Sequence, residues 1–193
     1  VDEPWLRSAR HLHATGVFPA ISQTALQAAV KSMEVMRAAG RTISFDTNLR
    51  PTLWPSTEVM REQINRLAAM ADWVLPGIEE GLLLTGHDEP EAVARFYRER
   101  GASLVVVKLG AAGAYYDGED CGTGFVAGFP VEKVIDTVGA GDGFAAGVVS
   151  ALLEGKSVPE AVRRGAWIGA RAVQVLGDTE GLPTRAELDA AGL

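Results

Sequence analysis

Residues 136–147 read DTVGAGDGFAAG and contain four glycines in twelve positions. The stretch runs into FAAGVVSALL (144–153), whose apolar spacing is typical of a helix. Small residues allow the backbone N–H groups of 139–142 to point into one concavity. The N-terminus of the following helix adds further N–H donors and the positive end of its dipole. The pattern therefore predicts an anion site at the start of a helix.

Asp142 is the unusual feature of this predicted anion site, because a carboxylate repels a phosphate. It is explained if Asp142 is a base that takes a proton from a hydroxyl attacking phosphorus. An alternative is a glycine-rich turn in which Asp142 only caps the helix.

The stretch lacks the Gly-Lys-Ser/Thr that ends a Walker A loop. It matches the dinucleotide fingerprint G-x-G-x-x-A, but the acidic residue about 20 positions on, Glu160, lies inside a helical pattern.

Outside this stretch, short strand patterns alternate with longer helical patterns. Strands are predicted over 11–17, 41–46, 72–75 and 103–107, a hairpin over 114–126, and helices over 24–39, 57–71, 79–85, 91–100, 141–154 and 159–175. Thr24 and Gln27 predict a capping box for the first long helix, which Gly40 would end. This order predicts an α/β fold with one largely parallel sheet, helices on both of its faces, and a single unit over 1–193.

Polar residues and glycines follow three of the predicted strands. They are Asp46, Asn48 and Arg50 after the second strand, Glu79 and Glu80 after the third, and Lys108, Gly110 and Gly113 after the apolar run SLVVV (103–107). Ligands bind at the carboxyl ends of the strands in such sheets. One edge of the sheet is therefore expected to receive a polar ligand.

The composition narrows the class of protein. Of the 193 residues 47% are hydrophobic, which is enough for a core, and 18 basic against 25 acidic residues give a net charge of −7. That charge argues against a general nucleic-acid binder. No apolar run reaches the roughly 18 residues of a membrane span. One cysteine excludes an internal disulfide framework, and we expect a cytoplasmic protein with no membrane or nucleic-acid partner.

Three segments carry a resemblance to a known family. DTVGAGDGFAAG resembles the C-terminal signature of the ribokinase-like (PfkB) carbohydrate kinases. FDTNLRPTLW (45–54) resembles their D-x-N-x-R segment, and VVVKLGAAGAYY (105–116) is similar to their phosphate-binding strand and K-x-G-x-x-G turn. HLHATGVFPAIS (11–22), NLRPTLWPS (48–56), LLTG (83–86) and GDTEGLPTRAEL (177–188) look most like the 2-keto-3-deoxygluconate kinases of that family.

The resemblance implies ATP-dependent phosphoryl transfer to a sugar or sugar-acid hydroxyl, with Mg²⁺ as the metal. The roles it implies are Asp142 as base; Gly139, Ala140 and Gly141 as anion hole; Asn48, Lys108, Gly110 and Gly113 at the nucleotide; Arg50 and Asp178 at the acceptor; and Glu80 at Mg²⁺ through water. Arg50 suits either a phosphate or a carboxylate. Fructose, ribose or a nucleoside stays open as the acceptor, and so does a monovalent cation near Asp136.

The sequence departs from the family in two respects. In the family's N-x-x-E motif the glutamate is kept at Glu80, but Gly77 stands in place of the asparagine. Family members also extend further at the amino end, where they carry their first strands, a Gly-Gly sugar contact and a β lid. We therefore expect this chain to bind ATP weakly, to phosphorylate sugars poorly or not at all, and to be prone to association as homo-oligomers. An inactive nucleotide-binding or interaction module is the alternative from another class.

The histidine pair His11 and His13 and the residue Trp54 each allow two interpretations. His11 and His13 are spaced to share one face of a strand, which fits either a metal pair or a structural role. Trp54 lies in a proline-bounded loop and either lines a substrate cleft or packs on a helix.

Overall fold

The computed structural model describes residues Val1–Leu193. The helices are α1 (Glu3–Ser8), α2 (Val17–Ala20), α3 (Gln23–Ala38), α4 (Thr57–Ala68), α5 (Ile78–Thr85), α6 (Pro90–Arg98), α7 (Ala140–Leu153), α8 (Val158–Ala172) and α9 (Arg185–Ala190). The strands are β1 (His11–Thr15), β2 (Thr42–Asp46), β3 (Trp73–Val74), β4 (Leu104–Lys108), β5 (Gly113–Gly118) and β6 (Gly122–Ala127), in that order in one mixed sheet.

The first four strands are parallel neighbours, as the alternation of strands and helices predicts. β1 pairs with β2, β2 with β3 and β3 with β4. Ile43, Phe45 and Val74 are fully buried on these strands. Burying such a side chain stabilises the fold by about 1.5–3 kcal/mol. The predicted α/β class with a largely parallel sheet is confirmed.

The contacts within the chain cluster into two compact units. The first comprises Val1–Val107 with Asp117–Asp120, and the second comprises Lys108–Tyr116 with Cys121–Leu193. The single unit expected from the sequence stays a prediction.

The core of the first unit comes from α3 and α4. Met33 and Met36 of α3 are completely buried, as are Met60 and Ile64 of α4. Their three- and four-residue spacing gives each helix one apolar face. The strand residues Leu12, Ala14 and Phe45 line a small cavity together with Met33, so this apolar face covers one side of the sheet.

The second unit is built around the packing of α7 on α8. Glycines permit the close approach, since a Cβ on Gly147 would lie 2.7 Å from the Gly165 Cα. Arg164 of α8 is completely buried and donates to Glu154 at 2.9 Å and to Ser150 at 3.3 Å. These bonds offset part of the cost of burying its charge.

The structure corrects several element boundaries. Ser22, rather than Thr24 with Gln27, caps α3 by accepting from the Ala25 N–H. The first strand ends at Thr15 instead of 17, because α2 begins at Val17. The last long helix ends at Ala172 instead of 175.

The early end of α8 has a physical reason. It leaves the Val173 carbonyl in place to accept the Ile135 N–H at 2.8 Å. Three short helices, α1, α2 and α9, were not predicted from the sequence. No helix of the chain combines the length and the apolar character needed to cross a bilayer.

Candidate active site

The glycine loop, Asp136–Asp142, leads into α7 as the sequence predicts. Gly139 is the N-cap of α7 and has φ of +77°, a left-handed conformation that favours glycine. A Cβ at this position would lie 2.5 Å from the Asp178 carbonyl oxygen. Both the backbone angle and the close packing therefore require glycine at 139.

Asp142 lies in the first turn of α7, and its residue is exposed. No side chain caps this helix, because the N-cap is Gly139. Asp142 is therefore not the N-cap residue of α7, and its role as a base stays a prediction. An exposed carboxylate beside the N–H groups of a helix start can accept a proton from an incoming hydroxyl.

The turn between β4 and β5 lies in the same compact unit as the glycine loop. Lys108 ends β4, and its Nζ would lie 3.8 Å from a Cβ on Gly141, so the ammonium faces the glycine loop. The Leu109 N–H donates to the Gly113 carbonyl at 2.8 Å and closes the turn. Gly113 has φ of +115°, and a Cβ there would lie 2.1 Å from the Val126 carbonyl oxygen. Gly110 also has a positive φ, of +58°, with open space around it.

The segment after α8 forms a wall of the glycine loop. The Asp178 backbone packs on Gly139, and the Asp178 residue is exposed. Asp136 joins the two segments by accepting from the Val138 N–H at 3.0 Å and from the Gly177 N–H at 3.4 Å. The N–H groups of Val138 and Gly177 hold the pKa of the Asp136 carboxyl below its usual value.

Asn48 and Arg50 belong to the first unit, in the loop Thr47–Arg50 that follows β2. Asn48 has φ of +32°, and no other non-glycine residue of the chain has a positive φ. Its N–H donates to Asp46 Oδ1 at 3.3 Å. The Arg50 guanidinium donates to Asn48 Oδ1 at 2.7 Å and to the Leu49 carbonyl at 2.8 Å.

Glu80 holds this loop against the start of α5. Its Oε2 accepts from Thr47 Oγ1 at 2.6 Å and from the Gly77 N–H at 2.8 Å, and its Oε1 accepts from the Leu49 N–H at 2.7 Å. A Cβ at Gly77 would lie 3.3 Å from Glu80 Oε2. The glycine that replaces the family's asparagine therefore leaves room for the carboxylate. A water-mediated role at Mg²⁺ stays a prediction.

Trp54 lines a cavity of about 620 Å³ beside α3 and α4. Leu26 and Val30 of α3 and Val59 of α4 line the same cavity. The indole Nε1 is buried and has no hydrogen-bond partner in the chain. Trp54 thus lies beside α3 and α4 and also lines a cavity, so both alternatives stay predictions.

Some residues that shape the site were missed at the sequence level. Thr47 was not singled out, although it directly precedes Asn48, a candidate nucleotide-binding residue. The side chain of Asp136 was considered only in relation to a cation. A Gly-Lys-Ser sequence does occur at Gly155–Ser157, but it joins α7 to α8, whereas a Walker A loop follows a strand.

Comparisons with known proteins give the family of the chain. The profile of the pfkB family carbohydrate kinases matches residues 1–185. The 2-dehydro-3-deoxygluconokinase of Bacillus subtilis (strain 168) is 51% identical over 184 residues, which cover 95% of this chain and 56% of that protein. The chain thus spans a little more than half the length of this relative.

Solved structures resemble the chain closely. The crystal structure of the PfkB protein from Polaromonas sp. JS666 has a TM-score of 0.89 and 69% identity, covering 98% of this chain and 60% of that one. A putative ribokinase II from E. coli, in complex with ATP and Mg²⁺, has a TM-score of 0.88 and 30% identity, covering 98% of this chain and 60% of that one.

Proposed function

The chain belongs to the pfkB family of carbohydrate kinases, and from this we propose that it carries the catalytic base and phosphate-binding part of an ATP-dependent sugar or sugar-acid kinase. The observation that carries the proposal is the position of Asp142 in the first turn of α7, directly after the glycine loop. The conformation of that loop requires glycine at position 139. A helix start that binds anions and also holds an exposed carboxylate suits transfer of a phosphoryl group to a hydroxyl.

Each part of the glycine loop has a role in this mechanism. Asp142 accepts the proton of the acceptor hydroxyl as its oxygen attacks the γ-phosphorus of ATP. The backbone N–H groups of Gly139, Ala140 and Gly141 stabilise the charge on the transferring group. The bond from phosphorus to the β–γ bridging oxygen breaks, and ADP leaves. Preorganised donors cost no rearrangement at that moment.

The residues of the second unit fit the phosphates of ATP. Lys108 brings an ammonium toward Gly141, and the open space around Gly110 leaves room for a ligand against the backbone. Gly113 keeps this turn tight. In the first unit, we propose that Asn48 contacts the nucleotide.

Mg²⁺ would contact the carboxylate of Glu80 through water and not directly. Glu80 already accepts three hydrogen bonds, so its carboxylate suits a contact to metal-bound water. When bound, the metal would neutralise phosphate charge, held mainly by phosphate oxygens and water.

For the acceptor we propose 2-keto-3-deoxygluconate. Its carboxylate would pair with Arg50, whose guanidinium is exposed and oriented by Asn48 Oδ1. Asp178 would accept from a sugar hydroxyl. Two observations support this choice over fructose, ribose or a nucleoside. The segments HLHATGVFPAIS and GDTEGLPTRAEL resemble those of 2-keto-3-deoxygluconate kinases, and the chain is 51% identical to a 2-dehydro-3-deoxygluconokinase. We place the enzyme in the cytoplasm, where ATP is available.

An inactive nucleotide-binding module is the second candidate. It is favoured by Gly77, which stands where the family's N-x-x-E motif has its asparagine. In such a module the glycine loop would bind ATP without an acceptor to phosphorylate.

The comparison of wild type with Asp142→Asn separates the two. ADP release with Mg²⁺-ATP and acceptor is measured on the full gene product, and ATP affinity by calorimetry. A kinase loses about 10²–10⁴-fold in turnover and keeps its ATP affinity, because only the proton acceptor is removed. ATP binding without turnover in either form would establish the module instead. Asp88→Asn is the matched control, because Asp88 is an exposed carboxylate with no role in the proposed site.

A further inference from the structure

The first turn of α7 is closed by a backbone hydrogen bond in which the Gly143 N–H donates to the Gly139 carbonyl at 2.8 Å. Asp142 lies inside this turn. Residues 177–182, which we call the wall loop, pack on the turn from outside the helix. At the N-terminal end of the turn, a Cβ on Gly139 would lie 2.5 Å from the Asp178 carbonyl oxygen. The place of Asp142 therefore depends on a loop that comes much later in the chain.

Leu182 packs on the other end of the same turn. A Cβ on Gly143 would lie 3.2 Å from Leu182 Cδ2 and 3.1 Å from Ile168 Cγ2, so both methyl groups lie directly against this glycine. Gly143 and Ile168 are buried, whereas Leu182 is 38% exposed. Ile168 supports the turn from α8, and Leu182 covers it from the solvent side. Leu182 thus contacts the residue that directly follows Asp142.

The wall loop has a fixed seat on α8 next to Leu182. Gly181 is buried, and a Cβ there would lie 2.8 Å from the Ala172 Cα. The Leu182 N–H donates to the Thr179 carbonyl at 3.1 Å, which closes the loop on itself. The close approach at Gly181 leaves no room for the loop to move toward α8. The backbone that carries Leu182 is therefore held in one place.

The helix α9 holds the end of the wall loop. Glu187 Oε2 accepts from the Thr184 N–H at 2.8 Å and from Thr184 Oγ1 at 2.9 Å, and its Oε1 accepts from Arg171 of α8 at 2.8 Å. Arg185 pairs with Glu154 at the end of α7 at 2.7 Å. Exposed ion pairs of this kind contribute little to stability. They do connect α9 to both α7 and α8, and so fix the point where the wall loop ends.

We propose that Leu182 is a positioning residue for Asp142. Its side chain holds the first turn of α7 so that the carboxylate lies where it accepts the proton of the acceptor hydroxyl. The inference rests on the proposed kinase function, in which Asp142 is the base. A general base acts only within about 2.6–3.2 Å of the atom that gives up the proton. A displacement of about 1 Å can cost about 10²-fold in rate, so an apolar contact beside the base is enough to affect turnover.

The test is Leu182→Ala in the full gene product, with two measurements. Hydrogen exchange at the Gly143 amide should become about 10-fold faster or more, because the turn that this amide closes opens more often. In acceptor-dependent ADP release, kcat should fall by about 10–100-fold. The KM values for ATP and for the acceptor should change by less than about twofold, since no polar binding group is removed. Leu182→Met keeps the side-chain volume and should restore both readouts.

Leu83→Ala is the matched control. Leu83 is 42% exposed, close to the exposure of Leu182, and it lies on α5 in the first unit. Both the exchange at Gly143 and kcat should stay at their wild-type values. Since Leu182 is partly exposed, its truncation should leave the chain folded, and Leu182→Met keeps the test decisive if it does not.

Three results would overturn the proposal. One is exchange at the Gly143 amide that is unchanged in Leu182→Ala. Another is a raised KM with kcat retained, which would make Leu182 a binding contact. The third is an equal loss of kcat in Leu83→Ala. A wild type that releases no ADP with any acceptor would contradict the proposed function, and the Gly143 exchange would then decide by itself whether Leu182 holds the turn.

Discussion

The glycine loop and the Thr47–Arg50 loop both hold backbone with a positive φ, but they do so by different means. In the glycine loop the residue at +77° is Gly139, and no side chain caps the helix that follows. In the Thr47–Arg50 loop the residue at +32° is Asn48, and Glu80 fixes its neighbours Thr47 and Leu49 through hydrogen bonds. The first loop is held by backbone packing, and the second by one distant carboxylate.

This difference predicts different weaknesses. A loop held by packing should fail when atoms are added to it, and should respond little to mild acid. A loop held by a side chain should fail when that side chain loses an acceptor oxygen. The predictions below are ordered by the size of the expected effect.

Gly139→Ala should be the most damaging change. An alanine at this position would keep a strained backbone φ, and its methyl group would lie 2.5 Å from the Asp178 carbonyl oxygen. We expect a loss of about 2–5 kcal/mol in the free energy of unfolding, combining strain and overpacking. Urea denaturation followed by circular dichroism measures it.

Gly155→Ala is the control for this change. Gly155 has a similar φ of +81° but open space around it, so only the strain remains. The loss should be about 1 kcal/mol. Equal losses in the two variants would mean that packing on Asp178 does not hold the glycine loop.

Glu80→Gln tests the loop held by a carboxylate. The amide keeps one acceptor oxygen and presents an NH₂ group to one of the former donors. We expect a loss of about 1–3 kcal/mol, because a buried donor is left without a partner. Hydrogen exchange at the Leu49 amide should accelerate, since its acceptor is Glu80 Oε1.

Glu79→Gln provides the comparison at the adjacent position. Glu79 is exposed, and its neutralisation should change stability by less than about 0.5 kcal/mol. A Leu49 amide that exchanges equally in both variants would contradict the role given to Glu80.

Acid should weaken the first unit before the glycine loop. His11 has a pKa of about 4 in the folded chain against 6.5 when unfolded. Between these values the unfolded chain binds more protons, so the free energy of unfolding falls as the pH falls from 6.5 to 4. His13 and Asp72 are the charged groups that act on this ring.

The free energy of unfolding should fall by about 1–2 kcal/mol over this pH range. This is less than the full pKa shift of His11 would give, because the ring is only half-buried. Urea midpoints measured across this range should fall for the wild type and stay flatter for His11→Asn. Asp136, whose pKa is lowered by backbone N–H groups, loses its contribution only below its ordinary value of 3.8. A slope unchanged by His11→Asn would show that another group titrates.

The two loops also show what the sequence could predict. DTVGAGDGFAAG specifies its turn and helix locally, so the start of α7 and the place of Asp142 were predicted within one residue. The apolar run SLVVV likewise specifies β4. Glu80 contacts residues 31 and 33 positions earlier, and no local pattern reveals such bonds.

The missed helices have a related explanation. α1 and α9 have six residues each, too short for an apolar period to be visible. They begin at the caps Asp2 and Thr184, and the Thr184–Glu187 capping box was a usable signal. At α3 two cap signals competed, and Ser22 lies two residues before the predicted Thr24.

The central claim, that the glycine loop and Asp142 transfer a phosphoryl group to a sugar acid, is tested most directly by acceptor-dependent ADP release. The full gene product is assayed with Mg²⁺-ATP and 2-keto-3-deoxygluconate, fructose, ribose or adenosine. Turnover with the keto-deoxy acid alone is the predicted result. Turnover with another acceptor would keep Asp142 as base and discard the proposed substrate. ATP binding without ADP release for any acceptor would contradict the claim.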